Sequence, residues 1–165
     1  MLFRSDCNSN NITAASAVPT LPTTGFTYIV WARMKSSNAD WRTLFRCTPN
    51  DHPILIELGS NRLGMYDNTV GAFYPSGYTV ASLANVWAQW VVTGDSSGQT
   101  FYINGQQVGT VTGQTAAGNS HYWVGGISTN AQNFGYVANM LLYTAKLTQE
   151  QIQQNYYGLK GRFGV

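Results

Sequence analysis

The sequence predicts an all-β domain, built from antiparallel strands as a sandwich or a barrel. Short runs of β-branched and aromatic residues recur along the chain, and turn residues separate them at about ten-residue spacing. A helical pattern is convincing in one segment only. The chain has 165 residues, which favours a single domain over 1–165, and a chain of this size builds one core without disulfide or metal staples.

The strand-like runs follow one another from residue 26 onward. Their residues are those that fit a pleated, half-buried surface. In chain order the runs cover 26–34, 41–47, 54–58, 62–66, 87–93, 100–103, 107–111, 121–124 and 135–143. Between two of them, Asn104-Gly105 suits a two-residue type I′ hairpin, because both central residues of that turn need positive φ.

The helix signal lies near the C-terminal end of the chain. Thr148 and Gln151 have the spacing of a capping box, in which each side chain bonds the backbone N–H of the other residue. Ile152 and Tyr156 share one helix face, and Gly158 is placed to end the helix. We expect this short helix to close one end of the sandwich.

The chain carries little charge. Charged residues make up 10% of the sequence and the net charge is +2, whereas charged residues are usually ~25% of a protein. The nine Lys and Arg residues are scattered and form no basic stripe, which excludes a nucleic-acid-binding domain. A weakly charged surface also lacks colloidal repulsion, so we expect neighbouring protein subunits, including a homo-oligomer, among the partners.

Membrane and disulfide signals are weak. A membrane-spanning helix needs about 18 or more apolar residues in a row, and no stretch of this sequence approaches that. The N-terminus lacks a basic segment followed by an apolar one, so we expect no signal peptide. Cys7 and Cys47 are too few for a disulfide framework or a zinc site; we interpret them as buried apolar thiols, with a Cys7–Cys47 bridge as the alternative.

Several segments, in order, carry a family pattern. They are Gly-Phe-Thr-Tyr-Ile-Val-Trp at 25–31, Trp-Ala-Gln-Trp-Val-Val-Thr at 87–93, Phe-Tyr-Ile-Asn-Gly at 101–105, Trp-Val-Gly-Gly at 123–126, Phe-Gly-Tyr-Val-Ala-Asn at 134–139 and Ala-Lys-Leu-Thr-Gln-Glu-Gln-Ile at 145–152. This series resembles the laminin-G-like, concanavalin A-type jelly roll. The resemblance covers nearly the whole chain and implies a two-sheet antiparallel sandwich with one short C-terminal helix.

The resemblance also bears on metal binding and on localisation. Asn139 and Gln151 stand where the family usually has Asp and Glu, and family members that bind calcium use carboxylates and carbonyls on one rim. We therefore assign no metal ligand and no cofactor, with calcium the one ion that the family would allow. The tail at 153–164 is similar to the ends of such domains in phage and other viral structural proteins, which implies a virion protein made in the host cytosol.

Catalytic signals are poor. Related glucanases use carboxylates on alternating residues of one strand, and glycoside hydrolysis needs two carboxyl groups about 5–9.5 Å apart. No two of the acidic residues are two or four positions apart, and in the nearest pair, Asp51 and Glu57, Pro53 intervenes. The Gly94–Gly98 segment matches Gly-x-Ser-x-Gly, but a strand rather than a helix follows it, so we interpret it as a hairpin turn. We expect no enzyme and assign no catalytic residue.

Buried aromatic and imidazole groups are expected at several positions. Trp31, Trp87 and Trp90 lie in strand-like runs and are interpreted as core, while Trp41 and Trp123 are undecided. His52 and His121 lie far apart in the sequence, so we interpret them as solvated or packed side chains rather than as a metal site.

Glycan binding needs an aromatic face beside planar amide or carboxylate groups. Three segments interpreted as loops supply such groups, at 66–69, 73–78 and 128–134. The alternative for their aromatic rings is that they cover the core. The side chains that we expect to bind ligand are Asp67, Asn68, Tyr74, Tyr78, Asn130 and Asn133.

Three functions follow from these observations. The first is a non-catalytic virion-surface protein, such as a decoration, fibre or minor capsid subunit, that docks on its neighbours or binds glycans. The second is a stand-alone lectin-like module that binds carbohydrate. The third is a glycoside hydrolase, which would need a carboxylate pair that the sequence does not offer. The fold alone does not decide among them.

Overall fold

The computed structural model describes residues 5–6, 12–13, 20–48, 51–127 and 131–165. The strands are β1 (Ser5–Asp6), β2 (Ile12–Thr13), β3 (Phe26–Met34), β4 (Arg42–Thr48), β5 (His52–Ile56), β6 (Arg62–Asp67), β7 (Ala72–Thr79), β8 (Trp87–Asp95), β9 (Gly98–Ile103), β10 (Gln106–Thr112), β11 (Ser120–Val124) and β12 (Gly135–Tyr143). One α-helix, α1 (Gln149–Leu159), and two 3₁₀ turns, Ala81–Leu83 and Lys160–Arg162, complete the described elements.

The strands form two six-stranded sheets. The first sheet has the order β1-β12-β3-β8-β9-β10, and the second has the order β2-β11-β4-β5-β6-β7. Neighbouring strands run antiparallel throughout both sheets. The predicted all-β architecture of two antiparallel sheets with one short C-terminal helix is therefore confirmed.

The core lies between the two sheets. Along β3, Tyr28 and Val30 face inward and join the large buried cluster, whereas Ile29 faces the other way, as the two-residue period of a strand requires. The Tyr28 ring stacks on Phe45 of the second sheet, with ring centroids 4.3 Å apart. Trp90 is fully buried, and its indole N–H donates to the carbonyl of Ala32 at 3.1 Å.

The two predicted hairpins are present. Asn104 and Gly105 have φ of 51° and 78° and join β9 to β10, as a type I′ turn requires. The Gly94–Gly98 segment joins β8 to β9, and Asp95 Oδ1 accepts from the backbone N–H of Ser97 at 2.8 Å. The interpretation of this segment as a hairpin turn, rather than a nucleophile elbow, is confirmed.

Helix α1 begins where the sequence predicts it. Gln151 N–H donates to Thr148 Oγ1 at 3.3 Å, and Thr148 N–H donates to Gln151 Oε1 at 2.9 Å, so the capping box is formed. The predicted stop at Gly158 is wrong, because the helix continues to Leu159 and into a 3₁₀ turn. Gly158 is not among the glycines with positive φ, so it does not adopt the left-handed conformation by which a glycine ends a helix.

The helix covers the outer face of the first sheet instead of closing an end of the sandwich. Ile29, Val91 and Tyr102 are paired across β3, β8 and β9 and form an apolar row that faces away from the core. Ile152 of α1 packs on this row and is fully buried. The expected position of the helix was wrong, because the apolar side of the helix buries Ile152 on this outward row.

Segment 73–78, expected as a loop, is part of strand β7. Its Phe and Tyr residues favour a strand, and β7 lies at the edge of the second sheet, where Pro75 costs no interior ladder bond. Tyr74 and Tyr78 point inward and pack against the core. The expected loop at 73–78 is therefore a strand, and its two tyrosine rings cover the core, as the alternative for these rings had it; ligand binding by them stays a prediction.

Other expectations concern single residues. Trp31 and Trp90 are fully buried and Trp87 is partly buried. Cys47 is a buried free thiol, while Cys7 lies outside the described residues. Within the described part of the chain, no helix is both long and apolar enough to cross a membrane.

Candidate functional site

A half-open pocket lies on the outer face of the second sheet. Its volume is about 130 Å³. The side chains that line it are aromatic, aliphatic, amide or imidazole groups: Trp41, His52, Leu55, Tyr66, Asn68 and Gln132. None of the six is a carboxylate, lysine or arginine side chain.

Strand alternation places the floor of this pocket. Ile54 on β5 and Met65 on β6 face inward and join the core, so the neighbouring Leu55 and Tyr66 face outward. His52 also faces outward because it is paired with Tyr66 across β5 and β6. The two rings meet edge to face, with centroids 6.0 Å apart and planes at 85°.

Trp41 forms the aromatic wall of the pocket. It directly precedes β4, and its ring contacts Tyr66 and Phe73 edge to face at 5.7 and 5.5 Å. A Cβ on Gly64 would lie 2.8 Å from the Phe73 ring and 2.2 Å from the carbonyl oxygen of Tyr74. Glycine is therefore required at position 64 for Phe73 to lie across β6 and support Trp41.

The polar wall of the pocket is a hydrogen-bonded chain of His52, Thr43 and Gln132, called the relay below. Thr43 Oγ1 donates to Gln132 Oε1 at 2.7 Å and lies 2.9 Å from His52 Nδ1. The backbone binds the same segment, since Thr43 N–H donates to the carbonyl oxygen of Gln132 at 2.9 Å. Gln132 has a φ of 52°, and its backbone N–H donates to Asp40 Oδ2 at 3.0 Å. The relay therefore fixes the imidazole and the amide in place.

The side chains that line the pocket carry no charge near pH 7. Burial, helped by the charge of Arg46, lowers the pKa of His52 to about 3. The Asp40 carboxylate accepts from the backbone N–H groups of Trp41 and Gln132, so its charge is engaged at the rim of the pocket. Glu57, also on this sheet, pairs with Arg62 through bonds of 2.5 and 2.8 Å. A ligand in this pocket would meet hydrogen-bonding groups and rings rather than a net charge.

The structure distributes the six predicted site residues widely. Asn68 lines the pocket. Asp67 ends β6, and its Oδ1 accepts from the backbone N–H of Thr69 at 2.7 Å, which shapes the β6–β7 turn. Tyr74 and Tyr78 are partly buried against the core and do not line this pocket, so their role as ligand contacts stays a prediction. Asn133 is only 6% exposed, and Asn130 lies outside the described residues.

Sequence reasoning missed most of the pocket. Trp41, His52 and Leu55 were not predicted as site residues, while Tyr66 and Gln132 lie in segments that were singled out without being chosen. One signal was available. The apolar residues Leu63 and Met65 alternate along β6, which places Tyr66 on the outer face. No comparable signal exists for Gln132, which meets Thr43 across 89 positions of the sequence.

Two carboxyl groups that are distant in the sequence come together beside the pocket-bearing strands. Asp51 is hydrogen-bonded to Asp67 and accepts from the Asn119 amide. Burial, followed by the charge of Asp67, raises the pKa of Asp51 to about 6. Two carboxyl groups in direct hydrogen-bond contact are closer than the about 5–9.5 Å that a glycosidase pair needs. Within the described ranges, no group of three His, Cys, Asp or Glu side chains is placed to hold a metal ion.

The strands form a two-sheet antiparallel β-sandwich, with a ring-lined polar depression on the outer face of the second sheet. The sequence profile of the concanavalin A-like lectin/glucanases superfamily, of laminin G type, matches residues 6–153. The chain belongs to this family, as its sequence resemblance predicted. No curated protein sequence matches the chain.

Solved structures with the same fold include enzymes and receptor-binding domains. A Trypanosoma rangeli sialidase in complex with sialic acid has a TM-score of 0.66 at 12% identity, over 96% of this chain and 28% of the sialidase. The binding domain of botulinum neurotoxin serotype G has a TM-score of 0.61 at 15% identity, over 94% of this chain and 42% of the other.

A third similar structure is the binding domain of botulinum neurotoxin DC in complex with rat synaptotagmin II. Its TM-score is 0.61 at 16% identity, over 83% of this chain and 36% of that chain. This chain thus spans less than half the length of each of these proteins. At such identities the likeness shows a common fold.

Proposed function

We propose that this domain is a non-catalytic glycan-binding module whose ligand sits in the pocket beside Trp41. The observation that carries the proposal is the composition of the pocket. Trp41 and Tyr66 offer ring surface, while His52, Asn68 and Gln132 offer hydrogen-bonding groups. Saccharide rings present apolar C–H faces and hydroxyl edges, and a pocket that combines rings with a few fixed polar groups suits both.

Binding without hydrolysis is the second part of the proposal. Hydrolysis needs a carboxylic acid and a carboxylate on either side of the scissile bond. Asp51 and Asp67 bond each other rather than lining the pocket. Glu57 is bound to Arg62. These contacts favour a module that holds a sugar and releases it unchanged.

The similar structures are in keeping with this proposal. Two of them are described as toxin binding domains, one in complex with rat synaptotagmin II, and another is a sialidase in complex with sialic acid. Proteins that contain this fold thus include one found with a protein partner and one found with sialic acid. The proposal for this chain depends on its own pocket.

Glycan-array binding of the purified domain, followed by titration calorimetry of the best ligand, tests the proposal. Trp41→Ala should weaken binding roughly tenfold or more, which corresponds to about 1.4 kcal/mol. Trp87→Ala is the matched control, because Trp87 is also a partly buried tryptophan but lies on the first sheet. Equal loss in both variants, or selective binding that survives Trp41→Ala, would place the ligand elsewhere.

The array is run in calcium and again in EDTA. Retained binding in EDTA is the expected result, because the pocket offers no carboxylate. Loss in EDTA would show that an ion takes part. An array without any selective ligand would overturn the glycan proposal.

Assembly at a virion surface is the second candidate function. Its support is the resemblance of the tail at 153–164 to viral domains, together with Tyr157, which is 61% exposed on α1. Exposed aromatic side chains are frequent anchors of protein interfaces. Sedimentation at rising protein concentration should then show association that Tyr157→Ser weakens. A monomer at all concentrations, without binding to a capsid fraction, would oppose this role.

A further inference from the structure

We propose that the pocket binds two adjacent hydroxyl groups of an uncharged saccharide. One hydroxyl donates a hydrogen bond to the pocket, and the other accepts a hydrogen bond from it. The inference rests on the proposed glycan-binding function and names the chemical class of the ligand. It comes from the polarity of the relay through Thr43, which fixes what His52 and Gln132 present to the pocket.

The relay has a single hydroxyl proton at its centre. Gln132 Oε1 is an acceptor only, so Thr43 must use its proton on the 2.7 Å bond to that oxygen. The remaining contact, 2.9 Å between Thr43 Oγ1 and His52 Nδ1, then requires a proton on Nδ1. A neutral imidazole with its proton on Nδ1 has a bare lone pair on Nε2.

Each end of the relay thus offers one complementary group. His52 and Gln132 both line the pocket. In this arrangement His52 Nε2 can only accept a hydrogen bond, and the amide nitrogen of Gln132 can only donate one. Reversing the amide of Gln132 reverses every bond of the relay, which turns the imidazole into a donor and the amide into an acceptor. In both arrangements one residue of the pair can donate a hydrogen bond and the other can accept one, and both are tied to the same Thr43 hydroxyl.

A vicinal diol matches this pair of groups. Each sugar hydroxyl both donates and accepts, so one of two neighbouring hydroxyls bonds His52 and the other bonds Gln132. Trp41 and Tyr66 border the same pocket and offer ring surface to the C–H face of the sugar.

The uncharged lining of the pocket favours an uncharged ligand. Both Asp40 oxygens accept backbone N–H bonds, Glu57 is bound to Arg62, and the imidazole of His52 is neutral near pH 7. With the positive Arg46 beside it, His52 gains a proton only well below that pH. Affinity should therefore change little between low and high salt.

The experiment titrates methyl glycosides of glucose, galactose, mannose and N-acetylglucosamine into the domain. Each is compared with its singly deoxygenated analogues, and glucuronic acid and sialic acid serve as charged probes. For the neutral parent that binds best, removal of either member of one adjacent hydroxyl pair should lower affinity at least about tenfold, because a group of the pocket is left unpaired. Removal of other hydroxyls should matter less.

Two variants test the relay itself. Thr43→Ser keeps the hydroxyl and should keep the discrimination against the deoxy analogues. Thr43→Val has nearly the same shape without the hydroxyl, so the discrimination should shrink at least about threefold. Long-range ¹H–¹⁵N spectra of His52 provide a readout without ligand: a proton on one ring nitrogen is expected in wild type and in Thr43→Ser, and exchange between both nitrogens in Thr43→Val.

The outcomes separate this inference from the proposed function. Binding of the charged probes alone, or equal affinity for a neutral parent and all its deoxy analogues, would overturn the diol assignment and leave glycan binding intact. An imidazole protonated on both nitrogens at pH 7 would overturn the relay. Absence of binding by every probe would oppose the glycan proposal together with this inference.

Discussion

The outer face of the first sheet is covered by a helix, whereas the outer face of the second sheet stays partly open to solvent. On the first sheet, the row of Ile29, Val91 and Tyr102 is apolar, and α1 covers it with Ile152. On the second sheet, the outward side chains beside Trp41 mix rings with hydrogen-bonding groups, and a pocket stays half open. Both faces follow from the same two-residue alternation, so the difference lies only in which residues occupy the outward positions.

This contrast indicates that the covered face contributes to the stability of the domain and that the open face is suited to ligand binding. A sheet face made of aliphatic side chains gains free energy when a helix removes it from water. A face that carries an imidazole and amides loses their hydration when it is covered, so it suits a ligand that brings its own hydroxyl groups. Changes to the two faces should therefore affect different properties of the domain.

A substitution that weakens the packing of α1 on the first sheet should have the largest effect on the stability of the domain. Ile152→Ala should lower the free energy of unfolding by about 2–4 kcal/mol, because a fully buried side chain is lost and leaves a cavity. Tyr157→Ala, at a position 61% exposed on the same helix, is the control and should change it by less than about 0.5 kcal/mol. Urea unfolding measures both, and glycan affinity below the transition should be unchanged. A loss of affinity in Ile152→Ala would mean that the two faces are coupled.

Ionisation of Asp51 should destabilise the second sheet where β5 begins. Its pKa is raised from 3.8 to about 6 in the folded chain, first by burial and then by Asp67. A raised acid pKa means that stability present at low pH is lost as the pH rises from about 4 to about 6. Asp51→Asn keeps an acceptor for Asn119 and a donor for Asp67, so its melting temperature should exceed that of wild type by a few degrees at pH 7.5 and match it near pH 4.

The two buried histidines give the opposite slope and complete this test. Burial lowers the pKa of His52 to about 3 and that of His121 to about 4, so stability is lost as the pH falls below about 6.5. Melting curves of wild type and Asp51→Asn from pH 4 to pH 8, followed by circular dichroism, separate the two effects. Equal melting temperatures at every pH would contradict a raised pKa of Asp51.

A buried amide is a weak point of the covered face. Gln89 is fully buried, and among the described residues neither of its side-chain amide atoms has a hydrogen-bond partner. Gln89→Leu, of similar shape, should raise the free energy of unfolding by about 1 kcal/mol because no polar group is then left unpaired. Gln154→Leu, on the exposed side of α1, is the control. A destabilised Gln89→Leu would show that the amide has a partner in solution.

The helix cap should have the smallest effect. Thr148→Ala removes the acceptor for the backbone N–H of Gln151 and should cost about 0.5–1 kcal/mol. Thr144→Ala, at an exposed turn position before the helix, should cost less. Urea unfolding detects this difference, and an equal cost for both would mean that the cap contributes nothing.

The parts of the fold that sequence could predict are those with local causes. Asn104-Gly105 prefers a type I′ turn wherever it stands, and the Thr148–Gln151 capping box lies within four residues. Strands β3 and β8 are long runs of β-branched and aromatic residues, which fit few alternatives. The position of α1 was mispredicted, because its sequence shows which side of the helix is apolar but not which surface this side will cover.

The candidate site was harder to predict, because its residues meet only through sheet pairing. His52 reaches Tyr66 through the register of β5 and β6, and Gln132 reaches Thr43 across 89 positions. The segment that holds Tyr74 and Tyr78 was mispredicted as a loop for a different reason. Pro75 and Gly77 between them are typical of a turn, while an edge strand accommodates both.

Because Cys47 is buried, the rate at which its thiol is alkylated reports on the opening of the sandwich. It lies in the core between the sheets, 3.8 Å from the hydroxyl of Tyr28, and burial raises its pKa to about 12. Only thiolate reacts quickly with alkylating reagents, so the folded chain protects Cys47 both by exclusion of the reagent and by protonation of the sulfur. Peptide mass mapping distinguishes alkylation of Cys47 from that of Cys7. The alkylation rate of Cys47 therefore measures how often the two sheets separate.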